Sequence, residues 1–144
     1  MQKVALKDLP VLVSRALAQL PHKTDTATIL ALRGNLGAGK TTFTQALARE
    51  LGITETVQSP TYVLMKSYPI SYKHLTTLVH IDAYRLETPE QFADLAPERF
   101  LHDPATLVVV EWPERVEGAL PQPDLVLNFS ADDSSEGERY IGGI

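Results

Sequence analysis

Cysteine is absent from the 144 residues of this chain. That excludes disulfides, a thiolate nucleophile and thiolate metal sites, and it removes any sign of an oxidising compartment. Positive charge is scarce too: 13 Lys and Arg against 18 Asp and Glu leave a formal net charge of -5. Such a balance argues against broad, non-specific attachment to nucleic acid or to an anionic membrane, so any contact with RNA is expected to be shared or indirect. Long apolar runs are missing as well. Leu9-Pro10-Val11-Leu12-Val13 faintly resembles the core of an export signal, yet Asp8 precedes it, Arg15 follows closely and no small-residue cleavage site comes after. No other run approaches the ~20 apolar residues of a membrane span, which makes the cytoplasm the expected compartment. The length suits one domain over residues 1–144, large enough for a sheet covered by helices but small for a complete multi-step enzyme, so a partner is expected.

Against these absences stands one dense motif, Gly34-Asn35-Leu36-Gly37-Ala38-Gly39-Lys40-Thr41, which fits the pattern GxxxxGK[ST] at every fixed position. Its flanks suit it. Thr28 to Arg33 before it is an apolar run of strand length, and Phe43, Ala46, Leu47 and Leu51 after it recur at helical spacing up to Gly52, a natural helix terminator. Glycines let successive backbone N–H groups turn inward on phosphate oxygens, and the positive end of the helix that follows adds to the same site. The residues expected to bind nucleotide are Asn35, Leu36, Gly37, Ala38, Gly39, Lys40, Thr41 and Thr42. Lys40, taken to lie at the loop surface, reaches the β- and γ-phosphates, and the Thr41 hydroxyl ligates magnesium.

The remaining elements read as an α/β arrangement. A short strand near Lys3 to Leu6 precedes a helix with Asp8 as N-cap, Pro10 in its first turn and a stripe of Leu9, Leu12, Val13, Ala16, Leu17 and Leu20. Strand character returns over Tyr62 to Met65 and is followed by a polar, hairpin-like connection, Tyr68 to Lys73, in which Lys66, Lys73 and His74 read as a solvated edge. Short helices are predicted over 89–95 and 97–101, and a last one over 114–120. The runs 124–129 and 139–141 form a final antiparallel pair around an acidic turn.

Two apolar runs end in a carboxylate: Leu78-Val79-His80-Ile81-Asp82 and Leu107-Val108-Val109-Val110-Glu111. In a parallel sheet, ligands sit outside the carboxyl ends of the strands, so strands flanking the phosphate-loop strand would bring both acids to the γ-phosphate. The run ending in Glu111 is the more apolar and reads as the more central. Glu111 is therefore assigned to the metal, and Asp82 to the attacking water or to a supporting contact. The alternative reading of Asp82 is a residue that caps a turn. Thr61, after Ser59-Pro60, stands where a loop enters the sheet. It is either a threonine that senses γ-phosphate and magnesium or an ordinary residue of high β-propensity.

The blocks Gly34 to Thr42, Ser59-Pro60-Thr61-Tyr62, His80-Ile81-Asp82-Ala83-Tyr84-Arg85 and Glu111-Trp112-Pro113-Glu114, in this order, resemble the bacterial TsaE family over nearly the whole chain. The HxDxYR and EWxE blocks are narrow signals, where a lone phosphate loop is a broad one. The resemblance implies a P-loop NTPase-like fold, a mainly parallel sheet flanked by helices with an antiparallel C-terminal strand pair. It also implies a magnesium-dependent ATPase of the pathway that places threonylcarbamoyladenosine next to the tRNA anticodon. This ATPase would act on a TsaB–TsaD complex and meet tRNA only through that complex. By matching position, Lys40, Asp82 and Thr61 serve catalysis, Thr41 and Glu111 attend magnesium, and Trp112, Tyr84 and Arg85 contact the site or the partner. Asn35 departs from the aspartate common among relatives. Three other classes share the phosphate loop. A small-molecule or nucleotide kinase needs an arginine-bearing lid, whereas the arginines here are scattered singly; a nucleotide-sensing module would bind without hydrolysis. A regulatory GTPase needs an NKxD element, which is absent.

Overall fold

The computed structural model describes residues 2–35, 37–55, 65–132 and 138–144. Thr61 and Leu36 lie outside the described residues, as do Ser59-Pro60 and most of the acidic turn before Glu138. Seven strands form one sheet in the order β1-β7-β6-β2-β5-β4-β3. They are β1 (Gln2–Val4), β2 (Thr28–Arg33), β3 (Met65–Tyr72), β4 (Leu75–Asp82), β5 (Thr106–Glu111), β6 (Leu125–Asp132) and β7 (Glu138–Gly142). The helices are α1 (Leu9–Gln19), α2 (Lys40–Glu50), α3 (Pro89–Ala93) and α4 (Glu98–Leu101). Strands β6, β2, β5 and β4 are mutually parallel and make the centre. Both edges are antiparallel: β7 and then β1 on one side, β3 on the other.

Central position follows from composition. Thr-Leu-Val-Val-Val-Glu of β5 is buried at every residue, the continuous burial expected of a parallel strand covered on both faces. α1 and α2 pack on one face, against Leu30, Leu32, Leu107 and Val109. Phe92 of α3 and Phe100 of α4 cover the other, against Ile29, Ala31, Val108 and Val110. The predicted stripe of α1 is its buried face, with Leu9, Leu12, Val13, Ala16 and Leu17 all buried, at roughly 1.5–3 kcal/mol for each large side chain. Gln91 fixes the start of α3, its side-chain oxygen accepting from the amides of Glu87 (2.7 Å) and Thr88 (3.4 Å). No helix among the described residues is long and apolar enough to cross a membrane.

Four expectations are corrected. Tyr68 to Tyr72 belongs to β3, and only Lys73 and His74 turn the chain; Pro69 obscured the strand, but an edge strand at a register shift tolerates proline. His74 is half-buried, its ring stacked on His22 at 3.8 Å, so it is not part of a solvated edge. The helix expected over 114–120 is a single 3-10 turn, Pro113–Val116, that ends before Gly118. Finally, only β5 of the two acid-bearing strands flanks β2, whose other neighbour is β6; β4 lies one strand farther out.

Candidate functional site

At the carboxyl end of β2 the chain enters the glycine loop under a tight constraint. Gly34 has φ 150°, and a Cβ built there would stand 2.5 Å from the Phe129 carbonyl oxygen of β6. Gly37 and Gly39 take φ of 79° and 105°, and Gly39 caps α2 from the left-handed region. Between them Ala38 is buried, its amide donating to the Asn35 carbonyl at 3.1 Å. The first amides of α2 have no carbonyl of their own helix to bond, which suits them to an anion.

Lys40 opens α2 and is only 5% exposed, so it is not the surface residue expected from the sequence. Its Nζ donates to the carbonyls of Gly34 and Asn35 and lies 4.1 Å from the centre of the Trp112 ring. Burial pushes its pKa below the usual lysine value; the carboxylates of Glu111, Glu114 and Asp82 oppose this without cancelling it.

Glu111 ends β5, in register with Leu32 of β2 on one side and Asp82 of β4 on the other. It is almost fully buried and spans two partners. Its Oε1 accepts from the Thr41 hydroxyl at 3.3 Å, and its Oε2 lies 2.5 Å from Nε2 of His80. Asp82 is half-buried, and its Oδ1 accepts from the Tyr84 amide at 3.0 Å. The turn-capping contact and a place in the cleft thus coexist. Trp112 takes the left-handed conformation, φ 61°, with its amide directed to the Leu32 carbonyl at 3.3 Å and its ring 5.0 Å from that of Tyr84.

These groups share one cleft of about 240 Å³, lined by Asn35, the loop and first turn from Gly37 to Thr42, Asp82, Tyr84, Glu111 and Trp112. Arg85 is exposed and is not among the lining residues. Arg139 of β7 is, although no motif in the sequence points to it. It also lines a second, more apolar cavity of about 290 Å³ between β1, α1 and β6, which includes Leu6, Phe129 and Ile141 and shares Ala38, Gly39 and Thr42 with the cleft. Nothing local marks Arg139, because it reaches the loop only through the pairing of β7 with β6, a contact between distant parts of the chain.

No cluster of three or more His, Asp or Glu side chains suited to a metal occurs among the described residues. Thr41 and Glu111 nevertheless offer hard oxygen donors side by side, and magnesium ordinarily takes one or two such protein ligands, with water and substrate phosphates supplying the rest.

A family model described as "Threonylcarbamoyl adenosine biosynthesis protein TsaE" matches residues 11–141. A curated relative from Bacillus subtilis (strain 168), named tRNA threonylcarbamoyladenosine biosynthesis protein TsaE, is 39% identical over 120 residues, covering 78% of this chain and 72% of the relative. Another of the same name, from Streptomyces coelicolor, is 36% identical over 132 residues, covering 90% and 85%. Among solved structures, the crystal structure of YdiB from B. subtilis superposes with a TM-score of 0.67 at 31% identity, covering 96% of this chain and 78% of that one.

Proposed function

The chain belongs to the TsaE family, which acts in the biosynthesis of threonylcarbamoyladenosine in tRNA, and on that premise we propose that it binds and hydrolyses ATP with magnesium, in the cytoplasm. The observation that carries this reading is the convergence of Lys40, Thr41, Asp82 and Glu111 on one cleft outside the carboxyl ends of parallel strands. In this reading Lys40 exchanges its carbonyl partners for β- and γ-phosphate oxygens, while the amides from Gly37 to Thr42 hold the chain of phosphates. Thr41 and Glu111 hold magnesium, which supplies neutralisation of charge on the β- and γ-phosphates when bound. Asp82, braced by the Tyr84 amide, orients a water for in-line attack on the γ-phosphorus; the bond to the bridging oxygen breaks, leaving ADP, phosphate and a proton. The apolar cavity beside the loop takes the adenine, and Arg139 stands between base and phosphates.

The cleft is open, and no lid covers it among the described residues. We assign the completion of the site to a docked TsaB–TsaD complex, through which tRNA is met indirectly, with the exposed Tyr84 and Arg85 on the docking side and Thr61 keeping the γ-phosphate-sensing role read from the sequence. The test is a titration of the intrinsic fluorescence of Trp112, the one tryptophan, with ATP and GTP in the presence and absence of magnesium, paired with phosphate release. The expected result is magnesium-dependent binding that favours ATP, with slow release of phosphate. Tight binding without any phosphate release would make the protein a nucleotide sensor, and no binding would defeat the reading.

A further inference from the structure

His80 belongs to the HxDxYR block but does not line the cleft. It sits in β4 beside Val109 of β5, on the sheet face that Leu78, Leu107 and Val109 make apolar, and it is 0% exposed. A polar ring there costs free energy unless its nitrogens are paired, and an apolar residue would pack the layer as well. One nitrogen is paired strongly: Nε2 lies 2.5 Å from Glu111 Oε2, while Nδ1 has no hydrogen-bond partner among the described residues. That asymmetry fits the tautomer with its proton on Nε2, which donates to the carboxylate and leaves Nδ1 as a bare acceptor. The opposite tautomer would bury an unpaired N–H and set two acceptors against each other.

We infer that His80 is a positioning residue for Glu111: by holding Oε2 from the core side, it fixes the carboxylate so that Oε1 faces Thr41 and the cleft. A glutamate side chain otherwise rotates about its last torsion at little cost. Thr41, Glu111 and His80 form one line of contacts from the loop into the sheet, and Thr41 alone is a weak brace at 3.3 Å. The inference rests on the magnesium role proposed for Glu111, and it gives the buried imidazole the part that supporting partners play around metal ligands generally.

The experiment measures the magnesium midpoint of nucleotide binding by Trp112 fluorescence for wild type, His80→Gln and His80→Asn. Affinity without magnesium and the melting temperature of the nucleotide-free protein are recorded beside it. The Gln amide nitrogen can occupy the place of Nε2, whereas the Asn amide falls short of Glu111. The Asn variant should raise the magnesium midpoint by about 10- to 100-fold with little change in magnesium-free affinity, and the Gln variant should recover most of that loss. Should the Asn variant not fold, His80→Phe removes the same donor with a ring that suits the apolar layer, and the same shift is expected. A wild-type magnesium midpoint in the donor-less variant overturns the inference. So does equal impairment of the Gln and Asn variants in step with lowered melting temperature, which marks a purely structural histidine. If wild type itself binds nucleotide without regard to magnesium, the parent reading fails and this inference with it.

Discussion

Replacing Gly34 by alanine tests whether the loop is held by β6 or merely tethered to β2. The added Cβ would meet three atoms of Phe129: the carbonyl oxygen at 2.5 Å, Cβ at 2.9 Å and the carbonyl carbon at 3.2 Å. Two of these are backbone atoms of a strand whose register with β2 is set next door by the pairing of Arg33 with Asn128, so neither strand can yield without loosening the other. Overpacking of this kind costs about 1–3 kcal/mol. The φ of 150° adds backbone strain of about 1–3 kcal/mol for a residue with a side chain. Together these predict a loss of about 2–6 kcal/mol, a large share of the 5–15 kcal/mol that holds a typical domain folded. Gly52, with φ 86° and nothing within 4 Å of its Cβ position, is the control, since alanine there meets only the left-handed penalty of about 1–2 kcal/mol. Urea unfolding of both variants, analysed with m-values to confirm two-state behaviour, gives the comparison. A Gly34→Ala protein no less stable than Gly52→Ala would refute the claim that β6 clamps the start of the loop.

Glu111→Gln should retain nucleotide binding but weaken its dependence on magnesium, whereas Asp82→Asn should bind normally and fail to release phosphate; identical magnesium titrations for the two would erase the division of labour. Lys40→Met should reduce triphosphate affinity by about 2–5 kcal/mol, measured by calorimetry. The same variant carries a pH signature: the folded protein gives up the Lys40 proton at lower pH than the unfolded chain, so between the two values the unfolded state binds more protons and wild-type stability rises with pH. The stability of wild type relative to Lys40→Met should therefore climb through the alkaline range below the usual lysine value, and a flat difference would contradict the depressed pKa. Phosphate release by wild type should accelerate when TsaB–TsaD is added, and a rate unchanged at saturating partner would remove the reason for assigning that complex to the open cleft.

The parts of the site legible in the sequence are those written in local pattern. Glycine spacing, the apolar run of β2 and the helical repeat of α2 place the loop without reference to the rest of the chain. Apolar runs closing in an acid likewise locate Glu111 and Asp82, and the purer run of β5 marks it as central. What stayed hidden depends on pairings between distant segments. The order in which β4 and β5 stand beside β2 is not encoded in either strand alone, so the sequence does not distinguish an immediate neighbour of β2 from the next strand out. Arg139 and the cavity under β1 exist only because β1 pairs with β7 and β7 with β6. The burial of Lys40 is illegible for a related reason: one of the groups against it, Trp112, follows β5 in a left-handed turn and comes from a distant part of the chain.

Charge decides how such a cleft can hold a triphosphate. Among its lining residues Lys40 and Arg139 are cationic, Asp82 and Glu111 are acidic, and Glu114 is close enough to act on Lys40. Without nucleotide this set is nearly balanced, and Lys40 is already satisfied by two loop carbonyls and an aromatic face. A bound triphosphate would add several negative charges beside two carboxylates, and the amides of one loop and one helix terminus offset only part of that, since a helix end is equivalent to about half a positive charge. The deficit is largest at Glu111, which is 2% exposed and so has little water to screen it. A divalent cation held by Thr41 and Glu111, as proposed, would remove the repulsion where it is strongest. The acid that would otherwise expel nucleotide would then be the group that retains it. That reversal requires the carboxylate to present one oxygen to the cleft and keep the other engaged behind it, and Thr41 and His80 on its two oxygens meet that requirement.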